Sequence, residues 1–158
     1  MKSFGASPED SLHQEHETIR TLTQLLKLEQ EHLIAADIDG IADLTEPKAQ
    51  ATARMAELAA QRHTALAALG CEASETGMQA WLQTSNASQT ANQSWQELIE
   101  MARVAKELNR VNGTLINKQM VRNKSMLNIL QHGSPQGNQF YGPDGQTSGK
   151  STVRHIVA

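Results

Sequence analysis

Leu12, Ile19, Leu26 and Leu33 fall seven residues apart, and Leu22 and Leu25 widen the stripe they make. An apolar side chain at every seventh position stays on one face of an α-helix and needs another helix to cover it. The pattern therefore predicts a long first helix, over about residues 8–36, in a helical bundle or coiled coil. Ser7 suits its cap and Pro8 its first helical position, while Glu9 and Asp10 suit the positive end of its dipole. Composition agrees. In 158 residues the aromatics are Phe4, Trp81, Trp95, Phe140 and Tyr141 alone. A core of Leu, Ile, Met and Ala fits thin helix-on-helix packing better than a sandwich or barrel.

The stretch "AADIDGIADLTEPK" interrupts this pattern. Asp37 or Asp39 can cap a short turn reaching Leu44. A second long helix is then expected over about 45–69, capped by Thr45, with Pro47 in its first turn. Its stripe is Met55, Leu58, Ala65, Leu66 and Leu69, and Gly70 is a natural stop. In an antiparallel pair Glu15 comes level with Arg62. Those two residues read either as a pair near the seam or as solvated side chains on its rim. A short helix over about 75–84 would lay Met78, Trp81 and Leu82 on the bundle. Ser88 would cap a third long helix, about 89–131. Two seams are legible in that helix. The first is Trp95, Leu98, Met101, Ala102, Ala105, Leu108, Val111 and Leu115; the second is Ile116, Met120, Leu127 and Leu130. The stripe changes face around Asn112-Gly113.

The expected fold is all-α: an elongated antiparallel bundle of three long helices with a short extra helix, over residues 1–132. A flexible C-terminal tail follows, over 133–158, rich in Gly, Ser, Pro, Asn, Gln and Thr. Helix lengths set a puzzle. At 1.5 Å per residue the first two helices reach roughly 35–42 Å and the third about 65 Å. Its outer half, within Leu108 to Leu130, carries five asparagines and a glycine, each costing roughly 0.5–1 kcal/mol of helix propensity against alanine. Either that half bends back at Asn112-Gly113 or it is completed by a partner. Alternatively, Asn112 is a buried register-setting residue of an ordinary seam.

Charge is unevenly spread around a net value of −3. Residues 1–60 hold eleven acids against five bases. Residues 103–131 hold Arg103, Lys106, Arg110, Lys118, Arg122 and Lys124 against Glu107 alone. The two regions lie side by side, or the basic segment meets an acidic partner. Nucleic acid is a poor fit for a small patch with few aromatics in an acidic chain. Cys71 is the single cysteine, which rules out an intrachain disulfide and reads as a small apolar residue. The start "MKSFGASPED" has no apolar core of signal-peptide length, and no run is long enough for a membrane span. A cytoplasmic location without membrane insertion is expected.

The sequence contains no complete catalytic or metal-binding motif. "EQEH", Glu29 to His32, has Glu-x-x-His spacing, but a di-iron bundle needs that motif on two helices. "HQEHE", His13 to Glu17, reads as a solvated face. No zinc-type cysteine set, phosphate loop or nucleophile elbow is present. No enzyme, metal or cofactor is expected.

Several segments together resemble the FlgN family of flagellar type III export chaperones. They are "LLKLEQEHLIAADIDGIADLTEPKAQ", "LAAQRHTALAALG", "LNRVNGTLINKQM" and the tail's "FYGPDG". The likeness spans roughly residues 20–146; Pro47 departs from the expected helical pattern. The resemblance implies a chaperone of the hook–filament junction proteins FlgK and FlgL. It would shield their C-terminal helical segments and deliver them to the export gate protein FlhA. On this reading a client helix packs on Leu108, Val111, Leu115, Ile116, Met120 and Leu127, with Asn112 and Gln119 supplying hydrogen bonds. Tyr141 is the implied gate-docking residue. A homo-oligomer is compatible with it. The competing expectation is a non-catalytic coiled-coil assembly protein with no export role.

Overall fold

A computed structural model describes residues 6–133. Among them all regular structure is helical: α1 is Leu12–Ile34, α2 Ile38–Ala68, α3 Glu75–Leu82 and α4 Gln89–His132. The chain divides into two units, residues 1–117 and 118–158, with the boundary inside α4.

In the first unit the heptad of α1 is the inner face. Leu12, Ile19, Leu26 and Leu33 are all buried. Three residues link α1 to α2, so the two helices run antiparallel side by side. Helix α2 answers with its own seven-residue series of Ala51, Leu58 and Ala65, all buried. Helix α4 runs parallel to α1 and buries Ala91, Leu98, Ala105 and Asn112, again seven apart, with Trp95 beside them. Short α3 closes one end by inserting Met78, Trp81 and Leu82 into the core shared with Leu12, Leu66 and Trp95.

The start of α1 differs from the sequence expectation by a turn. Residues 8–11 form a hydrogen-bonded turn, with Asp10 N–H donating to Ser7 O and Leu12 N–H to Glu9 O, and the α-helix proper opens at Leu12. Pro8 is fully buried there. The larger correction concerns α2. It is one helix from Ile38, not a short turn followed by a helix from Thr45. Asp37 is the cap, its carboxylate accepting from Gly40 N–H. Thr45 lies inside the helix and turns its hydroxyl to Ile41 O. Pro47 sits mid-helix, where an absent N–H and a ring clash ordinarily cost about 3 kcal/mol. Half-buried Ile41 and Leu44 continue the α2 heptad upstream of the proline, and this packing outweighs the local penalty.

Helix ends follow recognisable capping chemistry. Gly70 takes φ +75°, with Gly70 N–H bonded to Ala67 O and Cys71 N–H to Leu66 O, a Schellman closure of α2. Ser74 caps α3 through Gly77 N–H, and Ser88 caps α4 through Ala91 N–H. Gly77 has no room for a side chain, since an added Cβ would lie 1.8 Å from Glu72 O. Helix α1 ends in the same Schellman pattern, with Asp37 N–H on His32 O and Ala36 N–H on Leu33 O. Here the left-handed residue is Ala36, φ 53°, where glycine is preferred.

That misfit yields a prediction. An L-residue pays roughly 1–2 kcal/mol in the left-handed region, and glycine returns part of that gain through its freer unfolded chain. Ala36→Gly is therefore expected to stabilise the fold by about 0.5–1 kcal/mol. The expected readout is a higher thermal midpoint, and an unchanged or lower one contradicts the assignment.

Candidate functional site

Inside the first unit, the positions of α1 and α2 that face one another are not uniformly apolar. Glu15, Leu22 and Glu29 follow one another at seven-residue spacing on α1, and Lys48, Met55 and Arg62 do so on α2. Antiparallel packing sets Glu15 against Arg62 and Glu29 against Lys48, with Leu22 and Met55 at the level between.

The first of these layers is buried. Glu15 accepts from Arg62 Nε and Nη2, at 3.2 and 3.1 Å, and from the Ser11 hydroxyl. The Arg62 guanidinium also lies over the Trp95 ring, 4.6 Å from its centroid, in a cation–π contact. Glu15 is completely buried and Arg62 is 7% exposed. The pair thus belongs to the core and not to a solvated rim. The second layer joins all three long helices. Glu29, also buried, accepts from Lys48 Nζ and from Asn112 Nδ2, and the same amide nitrogen donates to Leu26 O at 2.8 Å. Buried polar groups of this kind fix which residues face each other.

Asn112 is consequently a structural residue. It is 1% exposed and its amide donors are spent on α1, so it cannot offer a client hydrogen bonds without leaving the core. Leu108, Val111, Leu115 and Ile116 are half-buried in the first unit, and Leu108 packs against the core. Helix α4 passes through Asn112-Gly113 without interruption; the segment does not break into two helices there.

The second unit presents a different surface. Gln119 is half-buried, while every residue from Met120 to Gly133 is exposed. Among the described residues eleven large apolar side chains are exposed. Six of them, Met120, Val121, Met126, Leu127, Ile129 and Leu130, lie within this short run. A concentration of this kind is a candidate interaction surface. Met120 and Leu127 were expected on this face; Val121, Met126 and Ile129 were not. Met126 had a readable signal, because Ala105, Asn112, Gln119 and Met126 continue one seven-residue series. Tyr141 lies outside the described residues.

The histidine motifs are otherwise engaged. Glu29 belongs to the buried layer, and His32 pairs through Nδ1 with Asp37 at 2.9 Å. The Gly40 amide, and then His32, hold the Asp37 carboxyl below its ordinary range. His16 Nε2 lies 2.7 Å from Ser94 O and ties α1 to α4. Among the described residues no group of three His, Cys, Asp or Glu side chains is placed to hold a metal ion, and no helix is long and apolar enough to cross a membrane.

Comparison with known proteins bears on what this architecture serves. Residues 4–149 match the family described as "FlgN protein". The chain belongs to the FlgN family. A chaperone role in building the flagellum goes with that membership. The chain is similar to the "Flagella synthesis protein FlgN" of Yersinia enterocolitica, 27% identical over 145 residues, covering 90% of each chain. The same figures hold for the protein of that name in Yersinia enterocolitica serotype O:8 / biotype 1B. No solved structure gives a significant match.

The buried layers carry a stability prediction. Arg62→Met leaves Glu15 buried without its partner and is expected to cost about 3 kcal/mol or more in urea unfolding. Adding Glu15→Leu removes the stranded charge and is expected to restore most of that loss. A single variant as stable as the parent would show that the pair is not desolvated.

Proposed function

We propose that this protein is a cytoplasmic export chaperone for the hook–filament junction proteins FlgK and FlgL, holding an amphipathic C-terminal helix of each against the outer part of α4. The observation that carries this reading is the run of exposed apolar side chains from Met120 to Leu130 on the outer part of α4. A segment of that kind gains stability from a second amphipathic helix laid along it, in the manner of a helix-in-groove complex. Met120 and Leu127 are the central anchors, Met126 and Leu130 extend the face, and Gln119 contributes from the preceding turn. Asn112 is assigned no client contact. Methionines suit a surface that accepts two different clients, because their unbranched, polarisable side chains repack easily.

Family resemblance supports the identity of the clients and of the export gate, FlhA, as the receiving partner. Tyr141, in "FYGPDG", is proposed as the gate-docking residue. No step of this role calls for bond making, a metal or a cofactor.

Met120→Asp with Leu127→Asp places two carboxylates in the centre of the client face. Both side chains are exposed, so folding is expected to survive. Binding of a FlgK or FlgL C-terminal peptide, followed by calorimetry, is expected to fall at least a hundredfold; unchanged affinity rejects the face. Tyr141→Ala is expected to weaken FlhA binding and spare client binding. The reverse pattern rejects that division of roles.

A further inference from the structure

The charge around the proposed client face is one-sided. From Leu108 to Gly133 the sequence contains no Asp or Glu. Upstream on α4 the two arginines are matched locally, though Lys106 is not: Arg103 pairs with Glu100 and Arg110 with Glu107, each as a bidentate contact one helical turn apart. These contacts hold the Glu100 and Glu107 carboxyls below their ordinary range. Among the described residues no acid stands within ion-pair distance of Lys118, Arg122 or Lys124.

The placement of these cations on the helix is informative. At about 100° per residue, Met120, Leu127, Leu130, Met126 and Ile129 sweep one half of α4. Lys118 and Arg122 stand along the edge beside Ile129, and Lys124 stands along the opposite edge beside Met120. Asn123 falls inside the apolar half, between Leu127 and Leu130. In the sequence it follows Asn112 by eleven residues, the period of three helical turns. The first unit shows what kind of helix satisfies an asparagine in an apolar seam. Against Asn112 lies α1, whose leucine heptad is interrupted by a carboxylate: Leu26, Glu29, Leu33.

We infer that residues 118–132 select an acidic amphipathic helix: an apolar stripe with carboxylates along both edges, and one carboxylate set opposite Asn123 as Glu29 is set opposite Asn112. The inference rests on the client-binding reading above and adds the chemistry by which a client is chosen. A second copy of the same segment is a poor occupant, because it brings basic edges against basic edges. An anionic membrane is the other natural host for a basic amphipathic helix. It is disfavoured by an amide side chain in the middle of the apolar half and by the absence of any aromatic residue between Leu108 and Gly133.

The test uses the full chain and three synthetic helical peptides. They share one leucine stripe with a single central Glu and differ only in edge residues, which are Glu, Gln or Lys. Calorimetric titration at low salt is expected to rank them Glu, Gln, Lys, with the Glu-edged peptide at least tenfold tighter than the Lys-edged one. The gap is expected to shrink as salt screens the edges. The triple variant Lys118→Glu, Arg122→Glu, Lys124→Glu is expected to invert the ranking. Equal affinities, or an order that the triple variant does not change, overturn the inference. So does co-sedimentation of the chain with phosphatidylglycerol vesicles in place of any peptide preference. The apolar face and the charge rule fail separately. If Met120→Asp with Leu127→Asp abolishes client binding while edge charge is immaterial, the face stands and the charge rule falls. If client binding ignores that pair, both fall.

Discussion

Two buried carboxylates, Glu15 and Glu29, decide how this helical bundle is assembled. An antiparallel pair of leucine-rich helices slides with little penalty, because one apolar layer resembles the next. A buried carboxylate does not slide, since moving it by one heptad strands a charge in the core at a cost of several kcal/mol. Glu15 must find Arg62, and Glu29 must find Lys48. With both ends pinned, α1 and α2 have one register, and the apolar layer of Leu22 and Met55 falls into place between them. Helix α4 is keyed to the same two points, by Trp95 against Arg62 and by Asn112 against Glu29.

This arrangement divides α4 into parts with different duties. As far as Asn112 its inner residues serve the core. From Met120 onward its apolar residues face water and its cations have no local acids. The transition coincides with the asparagine-rich stretch, whose poor helix propensity is offset in the core by hydrogen bonds and packing. Further along, nothing among the described residues covers the exposed apolar side chains, and on the role proposed above a client supplies that cover.

Much of the architecture was legible in the sequence, because period-seven leucines can hardly do anything else. Leu12, Ile19, Leu26 and Leu33 are all buried as the spacing requires, α3 lies where Met78, Trp81 and Leu82 placed it, and Gly70 and Ser88 end and begin helices as their chemistry suggests. What was misjudged has a common physical origin. Pro47 and the Asp-Gly pair at Asp39-Gly40 are local breakers, and a local reading splits α2 there; tertiary packing of Ile41 and Leu44 overrules it. Glu15 and Arg62 had two readings, a pair near the seam or solvated side chains on its rim, and the structure decides for the pair, with Ser11, Arg62 and Trp95 around one carboxylate making its burial tolerable. Asn112 had two readings, and its neighbours on α1 decide for the structural one.

Pro47 has a consequence for motion. It has no N–H to give, so the carbonyl of Asp43 on the preceding turn lacks its usual helical partner, and the residues around it, Ala42 to Pro47, are largely exposed. This is the weakest stretch of the α2 backbone ladder. The tip of the α1–α2 hairpin, beyond the Glu29–Lys48 layer, is therefore where opening of the α2 backbone costs least.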